Sequence, residues 1–152
     1  MSKIYDSALR LLSFRPRSEK ELRDRLSDKK FDRAEIDKTI LRLKKEKLLD
    51  DKYFARVWTR HRMISGAKGR RFIERELAYK GVDKELIQKT LEKEYNKEKE
   101  EELAREAAAR KLKTIKEKDQ QKRYQKLAGF LSRRGFSWET IKKAIKSLEI
   151  EN

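Results

Sequence analysis

The sequence predicts an all-α chain of three tandem three-helix, helix-turn-helix-like repeats, laid out as an elongated or curved array. Three observations lead there. First, one pattern of apolar residues occurs three times. In the middle copy it runs Ile73, Leu77, Val82, Ile87 and Leu91, with gaps of four, five, five and four. The same gaps separate Leu22, Leu26, Phe31, Ile36 and Ile40 upstream, and Leu127, Leu131, Phe136, Ile141 and Ile145 downstream. The copies begin 51 and 54 residues apart, and self-similarity at a nearly fixed period of this size marks a repeat architecture.

Second, the residues inside the pattern spell a helix stop followed by a helix start. Gaps of four place Ile73 over Leu77, and Ile87 over Leu91, on single helix faces. Gly81 stands where a helix end must turn left-handed, Val82 folds back on the helix just left, and Asp83 caps the next one. Gly135, Phe136 and Ser137 play those parts in the third copy. In the first copy Lys30 replaces the glycine, which makes that turn strained or differently built. Third, only 36% of the residues are apolar and 46% are charged, too lean for one large core. Regular spacing on such a lean composition implies several small cores in a row, each leaning on its neighbours. No run alternates with period two, so no strand is expected.

The repeats are read as residues 1–48, 49–93 and 94–152. In the first, a helix over about Ile4–Phe14 buries Ala8, Leu9 and Leu12, and Arg15-Pro16-Arg17 interrupts it. Ser18 with Glu21 makes a capping box that opens the second helix, which ends near Lys30. Asp32 and Glu35 open the third, through Ile36, Ile40 and Leu43, complete by about Lys47. In the second repeat Asp50 caps a helix carrying Phe54 and Trp58, and Gly66 and Gly69 flank a loop before the repeated apolar pattern. Glu92 to about Thr114 reads as the long first helix of the third repeat, with Leu103, Ala107 and Leu112 as its buried stripe and Lys97–Glu102 as a solvated face or link. Asp119 caps a helix over Gln120–Arg134, and Ser137 caps the last, Trp138 to about Ile150.

Catalysis finds no footing in this sequence. It has no cysteine, one histidine, and neither a phosphate-loop nor a dinucleotide glycine pattern, so no enzyme, cofactor or metal site is expected. The lack of cysteine, of an apolar leader and of any membrane span points to the cytoplasm. Phe54, Trp58 and Trp138 at helical spacing read as core, and His61 is given no role.

The net charge is +16, spread as +5 over residues 1–50, +5 over 51–92 and +6 over 93–152. An evenly basic helical array suits a long polyanion, or a protein assembly that holds one. The densest positive stretch, Arg56–Lys80, holds Arg56, Arg60, Arg62, Lys68, Arg70, Arg71, Arg75 and Lys80 against Glu74 and Glu76. With Arg133 and Arg134 these are the candidate partner- or DNA-binding residues, and the helix start at Arg70 beside them reads as a ready anion site. Most lysines of 93–126 read as solvated helix positions balanced by glutamates one turn away.

Four groups of residues stand out in order along the chain: Ala8-Leu9-Arg10-Leu11-Leu12 with Arg15-Pro16-Arg17-Ser18-Glu19-Lys20-Glu21-Leu22; Leu48-Leu49-Asp50-Asp51 with Tyr53-Phe54-Ala55; Gly69-Arg70-Arg71 with Leu77 and Lys80-Gly81-Val82; and Leu131 with Arg133-Arg134-Gly135-Phe136. In these the chain resembles the RecX family, regulatory proteins that act on the bacterial recombinase RecA. The groups span residues 8 to 145, and the main departure is Lys30 where the family usually has glycine. The resemblance implies a cytoplasmic, non-enzymatic protein that binds the RecA–single-stranded DNA filament, and a monomer is expected. On the filament it limits growth or stability and lowers RecA's ATPase, strand-exchange and coprotease activities in DNA repair and the SOS response. DNA contact is expected directly or through RecA, with weak double-stranded DNA binding and no membrane partner. The rival reading is a stand-alone, non-sequence-specific DNA-binding repeat protein, since three-helix units with a turn before the last helix resemble helix-turn-helix domains. A third is a scaffold for an acidic protein.

Overall fold

The structure, a computed structural model, describes residues 2–151 of the 152-residue chain. Among the described residues there are nine helices and no strand: α1 (Lys3–Phe14), α2 (Glu19–Asp28), α3 (Arg33–Lys45), α4 (Asp51–Ile64), α5 (Arg70–Tyr79), α6 (Lys84–Glu94), α7 (Lys97–Leu112), α8 (Gln120–Arg133) and α9 (Trp138–Glu151). They group in threes around three apolar clusters. None is long and apolar enough to cross a membrane.

The repeated pattern supplies the cores. All five of its residues in the second and third copies are buried, as are four in the first, with Phe31 half-buried against the same cluster. Each buried side chain of this size contributes about 1.5–3 kcal/mol on leaving water, so no unit has much to spare. The expected caps form. Ser18 and Glu21 exchange both capping-box hydrogen bonds, while the side chains of Asp32, Asp50, Asp83, Asp119 and Ser137 accept amide hydrogens from the first turns of α3, α4, α6, α8 and α9.

Four local expectations need correction. In α1 the buried face is Ile4, Tyr5, Ala8 and Leu11, with Leu9 and Leu12 only half-buried. The stretch after Glu92 is not one helix: α6 ends at Glu94, Tyr95 turns into the second core, and Asn96 caps α7. Within α7 the buried residues are Glu100, Ala104, Ala107 and Ala108, while Lys97, Glu98, Lys99 and Glu102 are exposed, so Lys97–Glu102 is the solvated face of a helix and not a link. Leu103 leans instead into the second cluster, and Trp138 is 54% exposed.

Two junctions join the units, and they share one design. The N-terminus of the second helix of a unit is closed by the unit that follows. At the first junction the Ser18 hydroxyl donates to the Lys80 carbonyl at 2.6 Å, and the Asp51 carboxylate accepts the Glu19 amide at 2.8 Å. At the second the Gly69 amide donates to the Arg134 carbonyl at 2.7 Å, and the Glu100 carboxylate accepts the Arg70 amide at 2.7 Å. Burial pushes both carboxyls, Asp51 and Glu100, above their ordinary range, against the amides that favour their ionised forms.

The close approach at these junctions leaves no room for a side chain. A Cβ on Gly81 would lie 2.6 Å from the Lys20 Cβ, one on Gly135 2.5 Å from the Phe72 Cβ, and one on Gly69 2.4 Å from the Gly135 carbonyl. The first unit shows the converse. Its turn has the same hydrogen bonds, from the Lys30 amide to Ser27 and from the Phe31 amide to Leu26. Lys30 adopts the left-handed conformation at φ 73°, as Gly81 and Gly135 do at 82° and 92°. Lys30 is exposed and no unit packs on that turn, so only the backbone strain, roughly 1–2 kcal/mol, opposes a side chain there.

Glu21 ties the first junction electrically. It accepts from Arg15 at 2.7 Å, from the Lys80 ammonium at 3.0 Å and from the Ser18 amide at 3.2 Å. Burial alone would raise its pKa, but these donors outweigh it and hold the carboxyl down at about 2.

Replacing Lys30 with glycine is expected to raise stability by about 0.5–1 kcal/mol, the strain relieved less the added chain entropy. Gly69 has an ordinary φ of −78°, so Gly69→Ala tests the close approach alone; it should cost about 2 kcal/mol or more. Urea unfolding of the three proteins measures both effects. A depressed carboxyl gives stability that is complete above its unfolded pKa and disappears as pH falls to its folded one. The stability difference between wild type and Glu21→Gln should therefore be constant above pH 4.5 and vanish on approach to about pH 2. A difference that stays flat through that window would remove Glu21 from the junction's energetics.

Candidate partner-binding surfaces

The second unit and its junctions gather the predicted cations, but they sort them into two groups. The first group is bound within the fold. Arg62 grips Glu76 with two hydrogen bonds, at 2.8 and 2.6 Å, and lies over the Trp58 and Phe72 rings. Glu76 also accepts the Trp58 indole hydrogen at 3.1 Å. Lys80 lies over Trp58 as well, 4.4 Å from the ring centroid, while it reaches Glu21. Trp58 is thus half-buried between two cations, a joint between units more than a core residue. Arg60 pairs with Glu94 at 2.8 Å, and that pairing holds the Glu94 carboxyl below the usual range. The Arg70 side chain is half-buried beside Glu92 at 4.0 Å, and its amide is taken by Glu100.

The anion expected at the start of α5 is therefore supplied by the chain itself. Glu100 of α7 fills that helix terminus, which corrects its reading as an open anion site. Sequence spacing could not show this, because Glu100 lies thirty residues downstream and looks like one of many glutamates in a charged run.

The second group points outward. Arg71 and Arg75 are exposed one turn apart on α5, and among the described residues neither has an ion-pair or hydrogen-bond partner. Tyr79 continues the same stripe at 81% exposure, a surface aromatic that the apolar spacing does not single out. Tyr and Arg are the residue types over-represented where partner proteins bind tightly. Arg56 is exposed over the Tyr53 ring on α4. His61 is exposed near Trp58.

A basic ridge crosses the second junction. Lys68 lies over the Phe72 ring at 4.4 Å, and Arg134 over the Phe130 ring at 4.6 Å. Both side chains flank Gly66, where an added Cβ would lie 3.5 Å from Lys68 and 3.6 Å from Arg134. Lys111 reaches the Phe130 ring from α7 at 5.1 Å. Arg133 lies beside this ridge, on a groove between α7 and α8 that also holds Lys111, Lys116, Lys122 and Lys126. The expected balancing of those lysines by glutamates fails there, since α8 contains no acid at all. The signal was present in the sequence as an acid-free run from Gln120 to Trp138. Among the described residues no group of three or more His, Asp or Glu side chains could hold a metal ion.

Comparison with known proteins matches this architecture unit by unit. The model of the first three-helix domain of RecX matches residues 5–43, that of the second matches residues 50–91, and that of the third matches residues 98–145. A regulatory protein RecX of Oceanobacillus iheyensis is 36% identical over 149 residues, covering 98% of this chain and 54% of that protein. One of Chlorobaculum tepidum is 37% identical over 145 residues, covering 95% of this chain and 88% of that protein. The chain thus spans about half the length of the first relative and most of the second. The crystal structure of RecX from Lactobacillus salivarius is similar with a TM-score of 0.87 at 26% identity, covering 97% of this chain and 96% of that one.

The two groups of cations should separate by mutation. Arg62→Ala removes a bidentate pair and leaves the Glu76 carboxylate with only the indole, so a loss of about 1–3 kcal/mol is expected. Arg71→Ala with Arg75→Ala should change stability by less than about 0.5 kcal/mol. Thermal unfolding of both variants checks the division.

Proposed function

Because the chain belongs to the RecX family, we propose that it is a regulator that binds the RecA–single-stranded DNA filament and limits its assembly, thereby lowering RecA's ATPase, strand-exchange and coprotease activities. The observation that carries this proposal is the outward stripe Arg71, Arg75 and Tyr79 on the middle unit of a three-unit stack. A filament repeats one protein surface along a polyanion. A rigid stack of basic units can touch several of those subunits at once and gain affinity from geometry, while its +16 charge steers it to the assembly. Work of this kind needs no catalytic group, and limiting growth requires only occupancy. The protein acts in the cytoplasm as a monomer on this account.

Sequence-specific DNA reading by the stand-alone chain fits less well. A recognition helix must offer Arg, Asn or Gln to base edges. The exposed face of α6 carries Lys84, Glu85, Gln88 and Lys89, and Gln88, the one suited residue, donates to Glu74 at 3.3 Å.

Titration into a RecA ATPase reaction on single-stranded DNA tests the proposal. Inhibition should be complete at concentrations well below those at which the protein alone coats the DNA. Arg71→Glu with Arg75→Glu should raise the half-inhibitory concentration by about tenfold or more, with helical content unchanged by circular dichroism. Inhibition that only tracks coating of free DNA would favour the stand-alone binder instead.

A further inference from the structure

The groove between the end of α7 and α8 is lined by charge of one sign. Its volume is about 850 Å³, and Lys111, Lys116, Lys122, Lys126 and Arg133 line it with no acid among them. Among the described residues none of the five enters an ion pair. The nearest acids in sequence are turned away to the backbone. Asp119 caps α8 by accepting the Lys122 amide at 3.0 Å, and Glu117 accepts the Asp119 amide at 3.3 Å. Several cations elsewhere in this chain are met by acids, Arg62 by Glu76, Arg60 by Glu94 and Lys143 by Glu101. Five like charges on one groove repel each other unless an anion joins them.

The chemistry of the lining selects among anions. Four of the five cations are lysines, point charges on flexible stems that can bind a phosphate without fixing its orientation. The neutral donor left on the walls is Gln125, of a type that commonly contacts phosphate oxygens, since the Thr114 hydroxyl donates to the Lys111 carbonyl at 2.8 Å. Lys122 and Lys126 lie one helical turn apart on one face. The groove also continues: Lys111 shares the Phe130 ring with Arg134, and Arg134 and Lys68 both flank Gly66 at the second junction. A track of this kind fits a chain of phosphates better than one small anion. Cations lie over the Phe130 and Phe72 rings where a base would stack, and binding to the backbone alone carries no sequence information. A membrane surface would want apolar side chains beside the charges, and the lining offers only Ile115.

We propose that this groove, continued by Arg134 and Lys68, holds the sugar-phosphate backbone of a nucleic-acid strand directly and without regard to base sequence. The proposal rests on the filament reading only in adding a DNA-binding surface to the protein-binding stripe on α5, and the two can fail separately.

The test uses the full chain and a fluorescein-labelled oligo(dT) strand, with anisotropy measured over a series of salt concentrations and no RecA present. The exposed lysines 116, 122 and 126 are changed together, as Lys116→Gln, Lys122→Gln and Lys126→Gln; glutamine keeps helix propensity, and circular dichroism checks the fold. Affinity should fall at least about tenfold at low salt, and the slope of log affinity against log salt should become shallower by about 2, some 0.7 for each phosphate no longer neutralised. Arg71→Gln with Arg75→Gln should leave that slope as in the wild type. An unchanged slope in the triple variant overturns the proposal, as does a fall matched by the Arg71 and Arg75 pair. So does a triple variant that loses only its binding to phosphatidylserine vesicles. A triple variant with weakened oligonucleotide binding that still inhibits RecA ATPase supports both the groove and the filament reading. Full oligonucleotide binding with RecA inhibition abolished overturns the groove and keeps the filament reading, while a wild type that binds DNA through the groove without inhibiting RecA does the reverse.

Discussion

The whole arrangement depends on one steric fact: a turn of each following unit presses against the first residues of the preceding unit's second helix. At that distance the backbone of Gly135 touches that of Gly69, and Gly81 lies on the stem of Lys20. Close approach lets main-chain and hydroxyl donors reach carbonyls across the joint, at 2.6 and 2.7 Å. It also seals the open end of a helix, whose amides would otherwise need water or a ligand. Units too small to be stable by their own cores thus stabilise one another through their polar ends as well as their apolar faces. The second joint interleaves further, with Ala67 buried in the third cluster and Leu103 packed against the second. The Tyr95 hydroxyl donates to the Lys68 carbonyl at 2.8 Å, and burial raises its pKa so far that it stays protonated as a donor.

Charge is spent at these joints in a way that net charge conceals. Arg62, Lys80 and Arg15 are all held by carboxylates or aromatic rings around Trp58 and Glu21. What remains for a partner is smaller and more local than +16 suggests: the α5 stripe, the ridge over the second joint, and the third unit's groove. Counting cations against acids in a sequence window treats every pair as equivalent. The fold does not, because Glu76 lies within reach of Arg62 while Glu117 and Asp119 are committed to backbone amides near the groove.

Local physics made much of this fold legible. The gaps of four and five fix which side chains face inward, and the caps at Ser18, Asp32, Asp50, Asp83 and Asp119 fix where helices begin, because both are set by residues within one turn of each other. The misses are long-range. Glu100 is buried because Arg70, Thr140 and their helix ends surround it, and nothing within its own helix announces that. Trp138 stays half in water because Tyr124 and Lys142 offer only an edge and a cation to pack on. The division of arginines between joint and surface depends on crossings between helices that a single helix pattern does not encode.

Lys30 shows how the two levels meet. Its turn obeys the local rule, with the left-handed residue and both closing hydrogen bonds in place. The rule that only glycine belongs there has two separate sources, backbone strain and the approach of a neighbouring unit. Strain costs about 1–2 kcal/mol and can be borne by a packed unit; a Cβ 2.5 Å from another residue's Cβ, as at Gly135, cannot be borne without moving the joint. At Lys30 only the weaker source acts, so a lysine is tolerated. At Gly81 and Gly135 both act, and the glycines there mark the docking surfaces of the array. A glycine in such a pattern is thus evidence about a neighbour, and a substituted one is evidence that nothing needs to come so close.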